Sequence, residues 1–479
     1  MSTKNNTTAC LVVLLLGTSM VPIDSSLVNV SLPVIRRLYS SDITTVQWVI
    51  TAYMLAFSIF IPLTDWLKNR IGFYNLFVGS IFVFTIGTFL CGIAGNLEWL
   101  LAARMFQAIG SGAILPTALA IKSTFFRNSV RNRTMGIWGM IVVLGPAIST
   151  IAGGILTQYF GWHIIFFVNI PIGIITLLLS FRYLAFLKEG PPNKEPFHLT
   201  GFLSLSLFII ALQYSLIKIQ SLSFHSAYAP VLLFVLVASA FIFYYSSKKN
   251  PYPLLDLSLF RYPQFGIALL LTGIRSIALY GGLFLLPFLL QVSLGFSETA
   301  TSLLLLPNAI ILGSLLQVTS AWTGKHGYRN ISIAGLILLA ISMFLFGGLT
   351  KGSTMLAILF AMVIRGTGLS MVNSPITSSV IRSVPQEKAA MASAINTLVI
   401  QVSGALGVSA SSLCHQFFTM KYHTEGLTVA MAEHRALFKC FMLAGFLLFV
   451  AILPALKLPE KKNAVPGQQN DIDPVASEH

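Results

Sequence analysis

Long apolar stretches separated by short polar connections run along almost the whole chain. Fourteen of them have the length of a membrane-spanning helix, which is about 20 residues for a hydrocarbon core of about 30 Å. They cover residues 9–33, 46–66, 74–96, 99–122, 134–157, 162–185, 199–218, 229–247, 264–293, 299–320, 330–350, 354–381, 391–415 and 436–456. The pattern predicts an all-α integral membrane protein with 14 transmembrane helices and no folded extramembrane domain.

Composition and charge support this interpretation. Only 9% of the 479 residues are charged, whereas a soluble domain carries about 25%. This excludes a water-soluble enzyme, a solenoid and a disordered chain. With the N-terminus placed in the cytoplasm, the inner connections and termini hold 20 of the 30 Lys and Arg residues and the outer ones hold 7. This distribution indicates that both termini lie in the cytoplasm. It also accounts for the net charge of +15 without a nucleic-acid partner.

No pattern indicates a catalytic or metal site. The four cysteines stand singly, without the spacing of metal ligands. Phosphate-binding, zinc-protease and serine-hydrolase motifs are absent from the sequence. We therefore expect no metal, no cofactor and no enzyme activity. A receptor would need an extramembrane domain, which the short connections do not allow.

Two glycine motifs suggest an internal repeat. Gly72 and Gly327 lie 255 residues apart, and Gly110 and Gly366 lie 256 apart. We expect six-helix bundles at 1–190 and 261–457, two inserted transmembrane helices at 191–260 and a disordered cytoplasmic tail at 458–479. Parallel halves of this kind are typical of transporters that bind substrate between them.

Asp24 is the one acid well inside an apolar segment. A carboxylate at that depth is costly and usually marks a proton or substrate pathway; the alternative is that Asp24 only bonds the backbone near Pro22. Arg104, Arg275 and Arg365 are intramembrane cations, and Arg104 could instead reach the outer interface. Arginines lining a cavity would favour an anionic substrate.

Further polar and small residues complete the predicted transport machinery. The candidates for the substrate cavity are Asn29, Gln107, Arg275, Arg365, Asn373 and Asn396. The candidates for gating, chosen for charge near a connection or for close helix packing, are Asp65, Arg70, Gly72, Gly145, Pro146, Gly153 and Gly154.

Four runs of sequence resemble the fourteen-helix drug:proton antiporter branch of the major facilitator superfamily. They are residues 23–33 (IDSSLVNVSLP), 48–55 (WVITAYML), 104–112 (RMFQAIGSG) and 161–173 (GWHIIFFVNIPIG). The resemblance implies the major facilitator fold and proton-coupled alternating access, with Asp24 and Arg104 at the matching functional positions. The chain departs from the branch at Asp65, Asn69 and Tyr74, and at 149–150, where Ser-Thr replaces a second Gly-Pro.

The leading hypothesis is a monomeric transporter of the bacterial inner membrane that exports small drug-like molecules in exchange for protons. Its partners are then the substrate, protons and the lipid bilayer. The alternative keeps the fold but assigns import or export of an anionic metabolite, such as a carboxylate siderophore. The cavity arginines and the altered antiporter motif favour this alternative.

Overall fold

The computed structural model describes residues 3–125, 145, 148–188, 196–218, 228–251 and 253–460, and these form helices joined by short connections. In chain order the helices are α1 (Thr3–Leu38), α2 (Ile43–Val46), α3 (Trp48–Phe60), α4 (Leu63–Gly92), α5 (Leu97–Phe125), α6 (148–160), α7 (Ile164–Phe167), α8 (Asn169–Tyr183), α9 (Leu199–Lys218), α10 (Tyr228–Lys249), α11 (Pro263–Pro287), α12 (Glu298–Gly347), α13 (Met355–Arg382), α14 (Ala389–Thr424), α15 (Val429–Val450) and α16 (Ile452–Ala455). A π-helical segment, Phe288–Ser293, extends α11.

The all-helical membrane architecture is confirmed. Within the described ranges, 12 helices are long and apolar enough to cross a membrane. One of them, α12, has 50 residues and covers both the tenth and the eleventh predicted segments. Most of the fifth predicted segment, 134–157, and the tail from residue 461 lie outside the described residues. The count of 14 therefore stays a prediction.

The connections expected after the second and tenth segments differ from the prediction. Each is helical on both sides and broken at one glycine: Gly72 has φ 82 and ψ 164, and Gly327 has φ 83 and ψ 165. Only glycine adopts this conformation without strain, because a Cβ would clash with the backbone. The chain thus turns without a loop, and it does so identically at two positions 255 residues apart.

The internal repeat is present, but its second offset needs correction. Helices α4 and α12 end 255 residues apart, at Gly92 and Gly347. The next connection is four residues long in the first half (93–96) and seven in the second (348–354), so the offset becomes 258 in α5 and α13.

Glycine packing agrees with the larger offset. Gly110 packs against the backbone of α4 at Ser80, and Gly368 packs against the corresponding turn of α12 at Gly335. Gly366, the predicted counterpart of Gly110, instead contacts Asn308. The prediction failed because three extra residues in a connection change which face of the following helix meets its neighbour.

One hydrogen bond occurs in both halves at these offsets. Thr64 Oγ1 donates to the carbonyl oxygen of Gly112 at 3.3 Å, and Thr319 Oγ1 donates to that of Ser370 at 3.2 Å. The matching bond supports the proposed division of the chain into an N-terminal half (α1–α8) and a C-terminal half (α11–α16).

The two halves are joined at one end of the bundle, which we call the Ser40 end. It holds the connections 39–42, 93–96, 161–163, 294–297, 348–354 and 425–428. There Arg36 pairs with Glu433 at 2.8 Å, and Arg37 lies 3.5 Å from Glu298. Both ion pairs link α1 to the other half.

The opposite end, the Gly72 end, holds Gly72, Gly327 and the connections 250–262 and 383–388. Its ion pairs in the described part of the chain, such as Lys68 with Asp65 and Lys388 with Asp256 at 2.7 Å, do not join the two halves. Ser258 also donates its backbone N–H to Asp256 at 2.9 Å.

The two helices predicted to be an insertion, α9 and α10, lie beside the two halves. Gln213 of α9 donates to Ser409 of α14, which fixes α9 against the C-terminal half. Large apolar side chains of α10 are exposed, as expected for a lipid-facing helix: Leu233, Phe234, Val237 and Phe241.

Candidate transport site

A buried ion pair joins α1 to α5. Asp24 and Arg104 are each 1% exposed, and their Oδ2 and Nη1 atoms lie 2.5 Å apart. Gln107, one turn after Arg104 on the same face of α5, donates from Nε2 to Asp24 Oδ1 at 2.9 Å and accepts from Arg104 Nη1 at 2.6 Å. Both oxygens of the carboxylate are therefore paired inside the N-terminal half.

The surroundings of Arg104 explain how its charge is held at this depth. Its Nε donates to the carbonyl oxygen of Val49 at 3.3 Å. Its guanidinium lies 4.2 Å from the ring centroid of Tyr53, within range of a cation–π interaction. Arg104 thus points into the bundle and does not reach the outer interface, and Asp24 bonds side chains rather than only the backbone near Pro22.

The ion pair contributes to the packing of α1 against α5. Protonation of Asp24 would remove its charge and with it the ion pair to Arg104, which cannot lose its own proton. The contact between α1 and α5 would then weaken. An acid in such a site can couple protonation to a conformational change.

A separate cavity of about 750 Å³ lies between the two halves. α1 contributes Ser26 and Asn29 to its wall, and α6 contributes Thr150. Most of the lining comes from α11, α12 and α13. Its apolar members on these helices are Leu279, Leu283, Pro287, Leu305, Ala309, Leu312, Leu316 and Leu369. The cavity reaches Ser320 and Ser378, within two turns of the Gly72 end.

Two arginines give the cavity a positive charge. Arg275 donates from Nη1 to Asn373 Oδ1, and Arg365 donates from Nη2 to the carbonyl oxygen of Leu279 at 3.3 Å. The Nε atoms of both arginines are buried without a hydrogen-bond partner. Across the described ranges neither side chain pairs with a carboxylate.

Four of the six predicted cavity residues line this cavity: Asn29, Arg275, Arg365 and Asn373. Gln107 does not, because its amide is used by Asp24 and Arg104. Asn396 is also outside the lining, since it is buried and accepts a hydrogen bond from Thr272 at 3.1 Å. The sequence interpretation missed Asn308 and Gln317, which also line the cavity from α12.

The predicted gating residues have separate environments. Asp65 pairs with Lys68 at the surface, and Arg70 is exposed. A Cβ on Gly145 would lie 3.6 Å from Ile23, while Pro146 falls outside the described residues.

The other two glycines predicted to take part in gating bring α6 close to two helices. A Cβ on Gly153 would lie 3.2 Å from Leu27 of α1, and one on Gly154 would lie 2.5 Å from the backbone oxygen of Glu298. Gly154 thus allows a close approach between the halves.

Comparison with known proteins identifies the family. The family model described as Major Facilitator Superfamily matches residues 14–408. The chain belongs to this superfamily. It is similar to the multidrug export protein EmrB of Escherichia coli, with 28% identity over 83% of this chain and 78% of that protein. The riboflavin transporter RibZ of Clostridioides difficile is 28% identical over 88% of this chain and 92% of its own length.

Solved structures agree on the fold. A bacterial homologue of the human lysosomal transporter Spinster, in an inward-facing and unoccupied conformation, superposes with a TM-score of 0.68 at 15% identity, covering 95% of this chain and 97% of that one. This major facilitator protein is therefore a multi-pass membrane transporter of a small molecule, and its resemblance to the drug-antiporter branch is confirmed.

Proposed function

We propose that the protein exports small organic molecules from the bacterial cytoplasm in exchange for protons, by alternating access. The observation that carries this proposal is the Asp24–Arg104–Gln107 cluster, buried at membrane depth and separate from the cavity between the halves. Such a separation lets one site exchange protons while the other carries the substrate. The name of the multidrug export protein EmrB favours drug-like substrates.

The distribution of positive charge supports the direction of transport. Placing the Gly72 end in the cytoplasm puts 20 Lys and Arg residues inside and 7 outside, in line with the positive-inside rule. Both termini are then cytoplasmic. The ion pairs at the Ser40 end close the outer side, so the cavity lies toward the cytoplasm, from which an exporter loads its substrate.

Protons entering the cell provide the driving force. A proton-motive force of about 150 mV is worth about 3.5 kcal/mol for each proton, enough for a concentration ratio of a few hundred. In the proposed cycle, protonation of Asp24 from outside releases Arg104 and permits the return of the carrier. Deprotonation toward the cytoplasm restores the ion pair.

A second candidate function is transport of an anionic metabolite, such as a carboxylate siderophore. Arg275 and Arg365 favour it, since they place two positive charges at the cavity without a carboxylate partner within the described structure. The same fold and the same proton site would serve both candidates.

Transport into proteoliposomes under an imposed pH gradient tests the coupling. Ethidium represents cationic drugs and citrate represents polycarboxylates. We expect proton-driven flux of at least one probe in the wild type, and its loss in Asp24→Asn. Glu387→Gln makes the same chemical change at an exposed position and should transport normally. Proton-driven flux that survives Asp24→Asn contradicts the assigned coupling site.

A further inference from the structure

The internal repeat relates the proton site to a position in the C-terminal half. The connections 39–42 and 294–297 have equal length, and Asp42 and Ser297 cap the helices that follow them. At this offset of 255, Asp24 corresponds to Leu279. At the offset of 258 between α5 and α13, Gln107 corresponds to Arg365.

A direct contact supports this correspondence independently. Gln107 bonds to the side chain of Asp24 in the first half, and Arg365 bonds to the backbone of Leu279 in the second. The contact between α11 and α13 therefore joins the positions that correspond to those joined between α1 and α5. In the C-terminal half, however, the acid is replaced by leucine and the amide by a guanidinium.

Within the part of the chain that the structure describes, this replacement leaves a buried positive charge without its anion. Arg365 is 1% exposed and Arg275 is 4% exposed. A buried charge that lacks a counter-charge is strongly unfavourable, and arginine cannot relieve it by losing its proton. The two side chains lie near one another, because Arg275 and Leu279 are one turn apart on α11, about 6 Å along its axis. An anion in the cavity could serve both.

We propose that the cavity binds an amphipathic organic carboxylate, whose carboxylate takes the place in the C-terminal half that Asp24 has in the N-terminal half. This proposal rests on the proposed transport function and names its substrate class. The guanidinium of Arg365, with its free Nε, presents the fork of donors that suits a carboxylate. Asn373, already bonded to Arg275, orients the second cation.

The apolar wall determines the rest of the ligand. Leu283, Leu305 and Leu312 lie in the same cavity as the arginines, so an apolar body can leave water while its charged end is paired. The buried Oδ1 of Asn308 has no hydrogen-bond partner in the structure and can accept one from a hydroxyl or amide of the ligand. A lipophilic cation would be repelled by the arginines.

Binding to the full-length protein in nanodiscs without a pH gradient tests the proposal. The probes are 11-(dansylamino)undecanoic acid and its methyl ester, which differ in the charge of one end, followed by dansyl fluorescence. We expect the wild type to prefer the acid at least tenfold. Arg365→Gln should lose that preference, and so should Leu279→Asp, which supplies a carboxylate from the chain while both arginines are kept.

Arg261→Gln is the matched control, because it removes one exposed positive charge outside the cavity and should bind like the wild type. Equal affinity for acid and ester in the wild type, or a preference for the acid that survives in folded Leu279→Asp, would overturn the carboxylate site. Asp24→Asn should still prefer the acid. Acid binding without any proton-driven flux would refute the proposed function and leave the carboxylate site supported.

Discussion

The buried ion pair between α1 and α5 makes a quantitative prediction for stability. Asp24→Asn keeps the shape of the side chain but leaves Arg104 buried without a carboxylate. Breaking a buried pair by changing one partner typically costs about 3–5 kcal/mol. Arg104→Gln should be comparably destabilising, because it removes the hydrogen bonds to Asp24, Gln107 and Val49. The double variant leaves no unpaired charge and should lose much less than the sum.

Reversible unfolding in mixed detergent micelles, followed by tryptophan fluorescence, measures this coupling. We expect a coupling free energy of about 2–3 kcal/mol between Asp24 and Arg104. The control pair is Arg36 with Glu433, whose side chains are 24% and 14% exposed and whose coupling should be nearer about 1 kcal/mol. If the buried pair couples no more strongly than the control pair, the reasoning about burial is wrong.

Three other changes have defined outcomes. Gly72→Ala should cost about 1–3 kcal/mol of stability because of the positive φ at this position, and Gly327→Ala should cost more because its Cβ would also meet the backbone of Glu460. Unfolding midpoints in detergent compare the two variants, and equal costs would contradict the contact with Glu460. Arg36→Gln should open the Ser40 end more than Arg37→Gln, whose side chain is 77% exposed. An impermeant maleimide reports this by labelling a cysteine placed at Ser26 after the native cysteines are replaced, and equal labelling would argue against the outer gate. Burial raises the pKa of Asp256, but hydrogen bonds from Lys388 and Ser258 more than offset this and hold the pKa below its usual range. The ionised Asp256 should therefore contribute about 0.5–1 kcal/mol of stability. This contribution should be present above about pH 4 and lost as the pH falls through the lowered pKa. Asp256→Asn should therefore be less stable than wild type at pH 7 and equal to it at acid pH, as unfolding at the two pH values would reveal.

The sequence was sufficient to predict the features that depend on hydrophobicity and charge. Apolar length predicted the helices, and the rarity of acids at membrane depth singled out Asp24. Arg275 and Arg365 were predicted to line a cavity because a buried cation needs polar surroundings, and the structure places both there.

Features that depend on which face a helix presents were harder to predict. Gln107 and Asn396 are polar residues of spanning helices, yet they bond other side chains away from the cavity. The helical continuation on both sides of Gly72 was also missed, because the polar run 68–70 has the composition of a loop. The change in the repeat offset from 255 to 258 was missed because three residues inserted in one connection leave the hydropathy pattern unaltered.

The leucine at position 279 has a consequence for the electrical behaviour of the carrier. Among the described residues, the cavity is lined by two arginines and by no acid, so the empty carrier would move more positive charge than the carrier loaded with a carboxylate. The membrane potential, negative inside, acts on each such charge with about 2.3 kcal/mol for every 100 mV. The membrane potential would then hold the empty carrier facing the cytoplasm and would oppose the outward movement of the loaded carrier less. This would limit cycles in which the carrier moves outward without substrate.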